Sequence, residues 1–143
     1  MERTTQRAYA KINIGLDVLR RRPDGYHEVK MIMQTVDIYD ELTFEKIDTP
    51  EILIQTDKEE LPINQDNLIY KAADLLKKER NLKEGVRITL VKRIPIAAGM
   101  AGGSSDAAAT LRGMNELFDL GYTTEQLQKL GVTLGADIPY CVV

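Results

Sequence analysis

The sequence predicts an α+β fold in which most strands come before most helices. Residues 8–19 alternate between apolar and polar side chains, which is the period of a strand with one buried face. Residues 66–80 instead repeat apolar side chains at helical spacing. The predicted elements follow the order strands, helix, strand, loop and helices, and no repeat or linker divides the chain. We therefore expect one domain with a sheet and a layer of helices.

Alternation defines the predicted strands. In residues 8–19, Ala10 and Ile12 face one way, while Lys11 and Asn13 face the other. A turn at Pro23-Asp24-Gly25 follows this strand. Further strands are predicted over residues 28–38, 42–46, 51–55 and 86–90.

Three helices are predicted in the rest of the chain. The first spans residues 66–80 and has Asp66 as a possible N-cap. The second follows a glycine-rich stretch, ends near Gly121, and has an apolar stripe at Ala107, Leu111, Met114 and Phe118. The third begins with a capping box of Thr123 and Gln126 and stops at Gly131. The apolar end of residues 135–143 predicts one more strand.

Composition narrows the class of protein. The 143 residues are 43% hydrophobic and 29% charged, with a net charge of −3, which favours a folded domain and gives no support for nucleic-acid or membrane partners. Cys141 is the only cysteine, so no internal disulfide can form and a cytoplasmic location is expected. His27 is the only histidine, which excludes a multi-histidine metal site.

A stretch of small residues carries the clearest functional signal. Residues 95–105 read Pro-Ile-Ala-Ala-Gly-Met-Ala-Gly-Gly-Ser-Ser and lead into the second predicted helix. Glycine lets a ligand approach the main chain, and a helix start directs N–H groups and partial positive charge at anions. The pattern therefore predicts a phosphate site, although small residues can also serve close packing of a helix on a sheet. It is not a Walker A loop, because Gly103 is followed by Ser104 rather than lysine.

Three other positions could carry chemistry. Lys11 could stabilise charge at a transferring phosphoryl group, although a lysine on a strand is often merely solvated. Asp137 could accept the proton of a hydroxyl group, or could be a turn or cap residue. Tyr26 and His27 could contact a planar base, or could lie in a surface turn.

These motifs together resemble the GHMP kinases, the small-molecule kinases named for galactose, homoserine, mevalonate and phosphomevalonate. The matching segments are residues 10–13, 22–27, 66–68, 95–105 and 135–139. The segment Asp24-Gly25-Tyr26-His27 resembles the branch that acts on a cytidine diphosphate-linked methylerythritol. The resemblance implies an N-terminal GHMP kinase domain over residues 1–143, with a ribosomal-protein-S5-like arrangement. It also implies phosphorylation of a small-molecule alcohol with ATP and Mg²⁺. Another GHMP kinase of homoserine or mevalonate type, or a non-catalytic nucleotide-binding domain, remains open.

The resemblance assigns roles residue by residue. It implies that Lys11 and Asp137 are the catalytic pair, and that Asn13, Tyr26 and His27 lie on the substrate side. It implies that ATP is bound by Asn67, Leu68, Lys92, Pro95, Ile96, Ala97, Ala98, Gly99, Met100, Ala101, Gly102, Gly103, Ser104 and Ser105. Metal ligands are not assigned.

The chain departs from the family pattern in two respects. Asp106 stands where asparagine is common, which would place a negative charge near the phosphates. Family members also continue into a C-terminal domain that completes the substrate cleft and is absent from these 143 residues. We therefore expect the chain by itself to be poorly active.

Overall fold

The computed structural model describes residues 1–21, 27–95 and 102–142, giving backbone but no side chains for residues 12–21, 27–34 and 102. The strands in these ranges are β1 (Arg3–Arg21), β2 (His27–Ile47), β3 (Ile52–Thr56) and β4 (Gly85–Val91). The helices are α1 (Leu68–Arg80), α2 (Gly102–Leu117), α3 (Thr124–Val132) and α4 (Ile138–Val142). None of these helices is long and apolar enough to cross a membrane.

The four strands form one mixed sheet in the order β1-β2-β4-β3. β2 pairs antiparallel with both β1 and β4. β3 pairs parallel with β4, and α1 is the crossover between these two strands. The predicted α+β class is confirmed, but the chain neighbours β2 and β3 are separated in the sheet by β4.

The helices cover one face of the sheet. α2 packs against β1, β2, α1 and α4, so it lies at the centre of the helical layer. The sheet contributes alternating buried side chains to the core, namely Leu42, Phe44, Ile52, Ile54, Val86, Ile88 and Leu90. This alternation follows from the two-residue period of a strand with one covered face. The core therefore lies between this face of the sheet and the helices α1 and α2.

The long strand β2 joins two segments that the sequence predicts as separate. Its register against β1 shifts between the pair Tyr9–Tyr39 and the pair Lys11–Thr35, so β2 contains extra residues at this point. Such a bulge lets a strand continue through an irregular stretch and redirects the neighbouring side chains. Asp40 and Glu41, which lie between the two predicted segments, pair in regular register with Ala8 and Arg7 of β1, so one strand runs through them.

Two helix ends differ from the predicted positions. The N-cap of α1 is Asn67 rather than Asp66, because the Asn67 side chain accepts a hydrogen bond from the backbone N–H of Ile69. α2 ends at Leu117, before Gly121, and Asp119 takes a left-handed conformation with φ of 51°. The capping box of Thr123 and Gln126 at the start of α3 is confirmed.

The C-terminal apolar run is a helix, and the predicted strand there is wrong. In α4 the buried side chains are Ile138, Cys141 and Val142, spaced three and four residues apart as one helix face requires. The predicted stop at Gly131 is also wrong, because Gly131 lies within α3. A Cβ at this glycine would lie 2.7 Å from Cγ2 of Ile138, so glycine here allows α3 and α4 to approach closely.

A glycine in the middle of α2 allows the helix to rest on the sheet. A Cβ at Gly113 would lie 2.3–2.6 Å from three atoms of the buried Phe44 ring. Gly113→Ala should therefore lower the free energy of unfolding by about 1–3 kcal/mol, the usual cost of overpacking. Urea denaturation measures this loss.

The matched control is Gly103→Ala in the same helix, where the nearest atom to a new Cβ is 3.7 Å away. Because alanine favours helices over glycine, this variant should be as stable as the wild type or slightly more stable. An equal loss in both variants would contradict the role of Gly113 in packing.

Candidate functional site

The starts of α1 and α2 lie next to each other. A Cβ placed on Gly103, near the start of α2, would lie 3.7 Å from Cδ1 of Leu68, the first residue of α1. Both helix starts carry backbone N–H groups and a partial positive charge. The structure therefore brings Leu68 and Gly103, two of the residues predicted to bind ATP, into one region suited to an anion.

Asn67 shapes the start of α1. Its Oδ1 accepts a hydrogen bond of 2.8 Å from the Ile69 backbone N–H. Its Nδ2 donates one of 2.8 Å to the carbonyl of Pro62, which fixes the connection that precedes the helix. The side chain of Asn67 thus caps α1 and anchors its entry.

The predicted phosphate loop is described only at its two ends. Pro95 and Gly103 are exposed and Ser104 is partly buried, whereas residues 96–101 and their predicted contacts lie outside the described residues. The hydroxyl of Ser105 donates a hydrogen bond of 2.6 Å to the Tyr9 carbonyl on β1. Ser105 therefore ties the start of α2 to β1, and its contribution to anion binding would come from its backbone N–H.

Lys92 lies in a buried cluster with two carboxyl groups. Its Nζ is 2.6 Å from Oδ2 of Asp40 on β2 and 3.1 Å from Oδ2 of Asp106 on α2. The ammonium side chain is only 4% exposed. This lysine, predicted to lie near the nucleotide, therefore holds β4, β2 and α2 together through its side chain.

The cluster contains one neutral and two charged groups at neutral pH. Burial raises the pKa of Asp106 to about 9, and the nearby Asp40 carboxylate acts in the same direction, against the lowering effect of Lys92. Burial opposes the charge on Asp40, but hydrogen bonds from Asp106, Lys92 and two backbone N–H groups outweigh it and lower the pKa of Asp40. Burial likewise opposes the charge on Lys92, but the carboxyl groups of Asp106 and Asp40 outweigh it and raise its pKa. The negative charge that the sequence suggested at Asp106 is thus absent at neutral pH.

Lys11 and Asp137 approach the same short helix. The ammonium group of Lys11 donates a hydrogen bond to the Tyr140 carbonyl of α4. Asp137 is exposed and directly precedes α4, where its carbonyl accepts a 3.2 Å hydrogen bond from the Tyr140 N–H. Burial raises the pKa of the Cys141 thiol, while the charge of Lys11 lowers it and that of Asp137 raises it. The charges of Lys11 and Asp137 therefore both lie near Cys141 on α4. In the described part of the chain, no ion pair joins the two side chains.

Arg112 holds α4 against β1. Its Nη1 donates to the carbonyls of Cys141 at 2.9 Å and Val142 at 3.3 Å, at the end of α4. Its Nη2 donates at 2.9 Å to the Arg7 carbonyl on β1. One partly buried guanidinium on α2 thereby fixes the two elements that carry Asp137 and Lys11.

The remaining predicted substrate residues fall where little is described. Tyr26 lies outside the described residues, and Asn13 and His27 are described by backbone alone, in β1 and β2. An open groove of about 400 Å³ lies between α3 and α4, with Val132, Pro139 and Tyr140 in its walls.

Sequence reasoning missed the roles of Asp40 and Arg112. Asp40 alternates with Leu42 and Phe44 on the buried face of β2, so a charged residue at an apolar position was the available signal. For Arg112 the signal was weaker, because a single arginine beside the apolar stripe of a helix is common on protein surfaces.

Comparisons with a family model and with curated relatives point to the same protein family. The family model described as "GHMP kinases N terminal domain" matches residues 67–143. The chain is 53% identical over 143 residues to 4-diphosphocytidyl-2-C-methyl-D-erythritol kinase of Lachnoclostridium phytofermentans. This alignment covers 100% of the present chain and 49% of that kinase. It is also 53% identical over 137 residues to the kinase of the same name from Enterococcus faecalis, with coverage of 96% and 48%. The chain thus spans about half the length of the curated relatives it matches.

Solved structures share the fold. A crystal structure of 4-(cytidine 5'-diphospho)-2C-methyl-D-erythritol kinase matches with a TM-score of 0.78 and 38% identity, covering 97% of this chain and 48% of that one. A homoserine kinase from Cytophaga hutchinsonii matches with a TM-score of 0.76 and 16% identity, covering 100% and 43%. At 16% identity, the match to the homoserine kinase shows a shared fold and nothing more.

The raised pKa of Asp106 predicts a pH-dependent stability. Folding raises this pKa from its ordinary value of 3.8 to about 9, so the folded protein holds the proton more tightly than the unfolded chain. The free energy of unfolding should therefore fall as pH rises through this window, by up to about 1 kcal/mol per pH unit. Asp106→Asn carries no such proton, so its stability relative to the wild type should be higher at about pH 8 than at about pH 5.

Urea denaturation of both proteins at the two pH values measures this difference. Asp74→Asn, which removes a surface partner of Lys78 on α1, is the matched control and should show the wild-type pH dependence. The same pH dependence in Asp106→Asn and the wild type would contradict a neutral Asp106 inside the folded protein.

Proposed function

The chain belongs to the GHMP kinases, and from this membership we propose that the protein transfers the γ-phosphoryl group of ATP to the 2-hydroxyl of 4-diphosphocytidyl-2-C-methyl-D-erythritol. The observation that supports this substrate is 53% identity to a kinase of that name along all 143 residues. In this proposal residues 1–143 are the N-terminal ATP-binding and catalytic domain. The reaction belongs to the non-mevalonate isoprenoid pathway, and a cytoplasmic location goes with it.

The neighbouring starts of α1 and α2 support a nucleotide site. The phosphates would lie at the N-terminal end of α2, where the backbone N–H groups near Gly103 and Ser104 and the helix dipole favour negative charge. The adenine would lie toward the start of α1, near Leu68, whose Cδ1 is 3.7 Å from the position that a Cβ on Gly103 would take. Residues 95–105 would thus enclose the phosphates, as the sequence predicts.

Lys11 and Asp137 would act on the transferred group. The bond between the substrate 2-oxygen and the γ-phosphorus forms, and the bond from that phosphorus to ADP breaks with its electron pair leaving on ADP. Asp137 would take the hydroxyl proton. An ammonium has three N–H donors, so Lys11 could hold the Tyr140 carbonyl and also stabilise charge near Asp137 or the phosphoryl group.

Mg²⁺ would enter as part of the nucleotide substrate. Proteins usually bind it through one or two carboxylates together with substrate phosphates. Within the described ranges, no group of three or more His, Cys, Asp or Glu side chains could hold a metal ion.

The role of Asp137 can be tested in the natural full-length protein. Asp137→Asn removes the proton acceptor and should slow kcat by roughly 10²–10⁴-fold while ATP binding stays near normal. The matched control is Asp119→Asn, at an exposed aspartate two residues beyond the end of α2, which should keep wild-type kcat. Steady-state kinetics and calorimetry with ATP give the two quantities, and near-wild-type turnover in Asp137→Asn would remove it from the mechanism.

The substrate can be tested by competition between alcohols. The natural full-length protein should phosphorylate the cytidine diphosphate-linked methylerythritol and should leave homoserine and mevalonate unchanged under the same ATP and Mg²⁺ conditions. Detection of the phosphorylated product by mass spectrometry decides between them. Turnover of a cytidine-free alcohol alone would point to another GHMP kinase, and saturable ATP binding without turnover of any alcohol would favour a non-catalytic nucleotide-binding domain.

A further inference from the structure

Three buried side chains connect the end of β4 with the start of α2. We propose that the cluster of Asp40, Lys92 and Asp106 positions the start of α2 for nucleotide binding, and so controls ATP affinity without touching ATP. This inference rests on the proposed function, because it assumes that the start of α2 receives the phosphates.

Asp40 fixes the chain immediately after β4. Its Oδ1 accepts hydrogen bonds from the backbone N–H groups of Arg93 at 2.7 Å and Ile94 at 2.8 Å. Its Oδ2 accepts a hydrogen bond of 2.6 Å from the Lys92 ammonium group. A single fully buried carboxylate on β2 therefore holds the backbone direction of the residues that precede Pro95.

Lys92 carries this constraint across to α2. Its Nζ reaches Oδ2 of Asp106 at 3.1 Å, although the two residues are 14 positions apart in the chain. The segment between them contains the predicted phosphate loop. The cluster thus sets the distance between the point where the loop leaves β4 and the point where it enters α2.

The cluster is better suited to positioning than to stabilising the fold. Replacing a buried set of ionic groups by apolar side chains of similar volume is often neutral or stabilising, because desolvation offsets the attraction between charges. Directional hydrogen bonds nevertheless fix geometry, and a displacement of ~1 Å at a reacting site can cost ~10²-fold in rate. The Ser105 hydroxyl bond to Tyr9 adds a second fixed point on the same turn of α2.

Two substitutions at Asp106 separate this role from general stability. Asp106→Ala removes one of the two carboxyl partners of Lys92, and in the natural full-length protein it should raise the KM for ATP about tenfold and leave the KM for the alcohol within about twofold. Asp106→Asn keeps the shape of the side chain, and its neutral amide can still accept a hydrogen bond from Lys92. Its KM for ATP should therefore lie much closer to the wild-type value than that of Asp106→Ala. Asp74→Ala, which breaks a surface ion pair on α1, should change neither KM.

Hydrogen exchange tests the same cluster without ATP. The amides of Arg93 and Ile94, bonded to Asp40, should exchange faster in Asp106→Ala than in the wild type, whereas amides in the middle of α1 should not. If Asp106→Ala does not fold, the milder Asp106→Ser is judged by the same measurements.

The possible outcomes are distinct. Faster exchange together with a selective rise in the KM for ATP supports the proposal. A folded Asp106→Ala with unchanged exchange and unchanged KM for ATP, or an equal rise in both KM values, overturns it. Wild-type protein that fails to bind ATP refutes the proposed function instead, and the exchange measurement still shows whether Asp106 helps to hold the chain that follows β4.

Discussion

The ammonium group of Lys92 lies where water hardly reaches, so its charge must be balanced from within the protein. Asp40 supplies the opposite charge from β2, and Asp106 supplies a neutral acid from α2. A buried charge without a partner would cost several kcal/mol, so Asp40 on β2 and Lys92 just after β4 must come together when the protein folds, and Asp106 adds a second hydrogen-bond acceptor from α2.

α2 organises both parts of the candidate site. Its first residues face the start of α1, and Asp106 and Ser105 fix them to β2, β4 and β1. Further along, Arg112 binds carbonyls on α4 and β1, which carry the predicted catalytic pair. Gly113 lets the helix rest on Phe44. The region assigned to the phosphates and the region assigned to proton transfer are therefore held at a set separation by one helix.

The sequence predicted the elements with a clear period and missed those fixed by distant contacts. Alternation in β4 and helical spacing in α1 give nearly the observed bounds, because each of these elements has one buried face. The short α4 was misassigned since three apolar residues over one turn fit either period. The sequence pattern at Gly131 predicts a helix stop, whereas in the structure this glycine allows Ile138 to pack at close range.

In the candidate site, too, the sequence predicts features that depend on local chemistry and misses those that depend on distant contacts. The glycine-rich stretch predicted a phosphate site from local chemistry, and Gly103 does lie beside Leu68. The partnership of Asp40 and Lys92 joins residues 52 positions apart, and no local pattern specifies it. Likewise, the raised pKa of Asp106 comes from burial, which the sequence does not reveal, and it favours the protonated form over the negative charge that the sequence predicts near the phosphates.

Titration of isotopically labelled protein with ATP and Mg²⁺, followed by backbone amide chemical shifts, tests nucleotide binding at the neighbouring helix starts most directly. We predict saturable shifts that are largest at residues 103–106 of α2 and residues 68–69 of α1. Shifts confined to the groove between α3 and α4, or no saturable shifts at all, would contradict the placement of ATP at these helix starts.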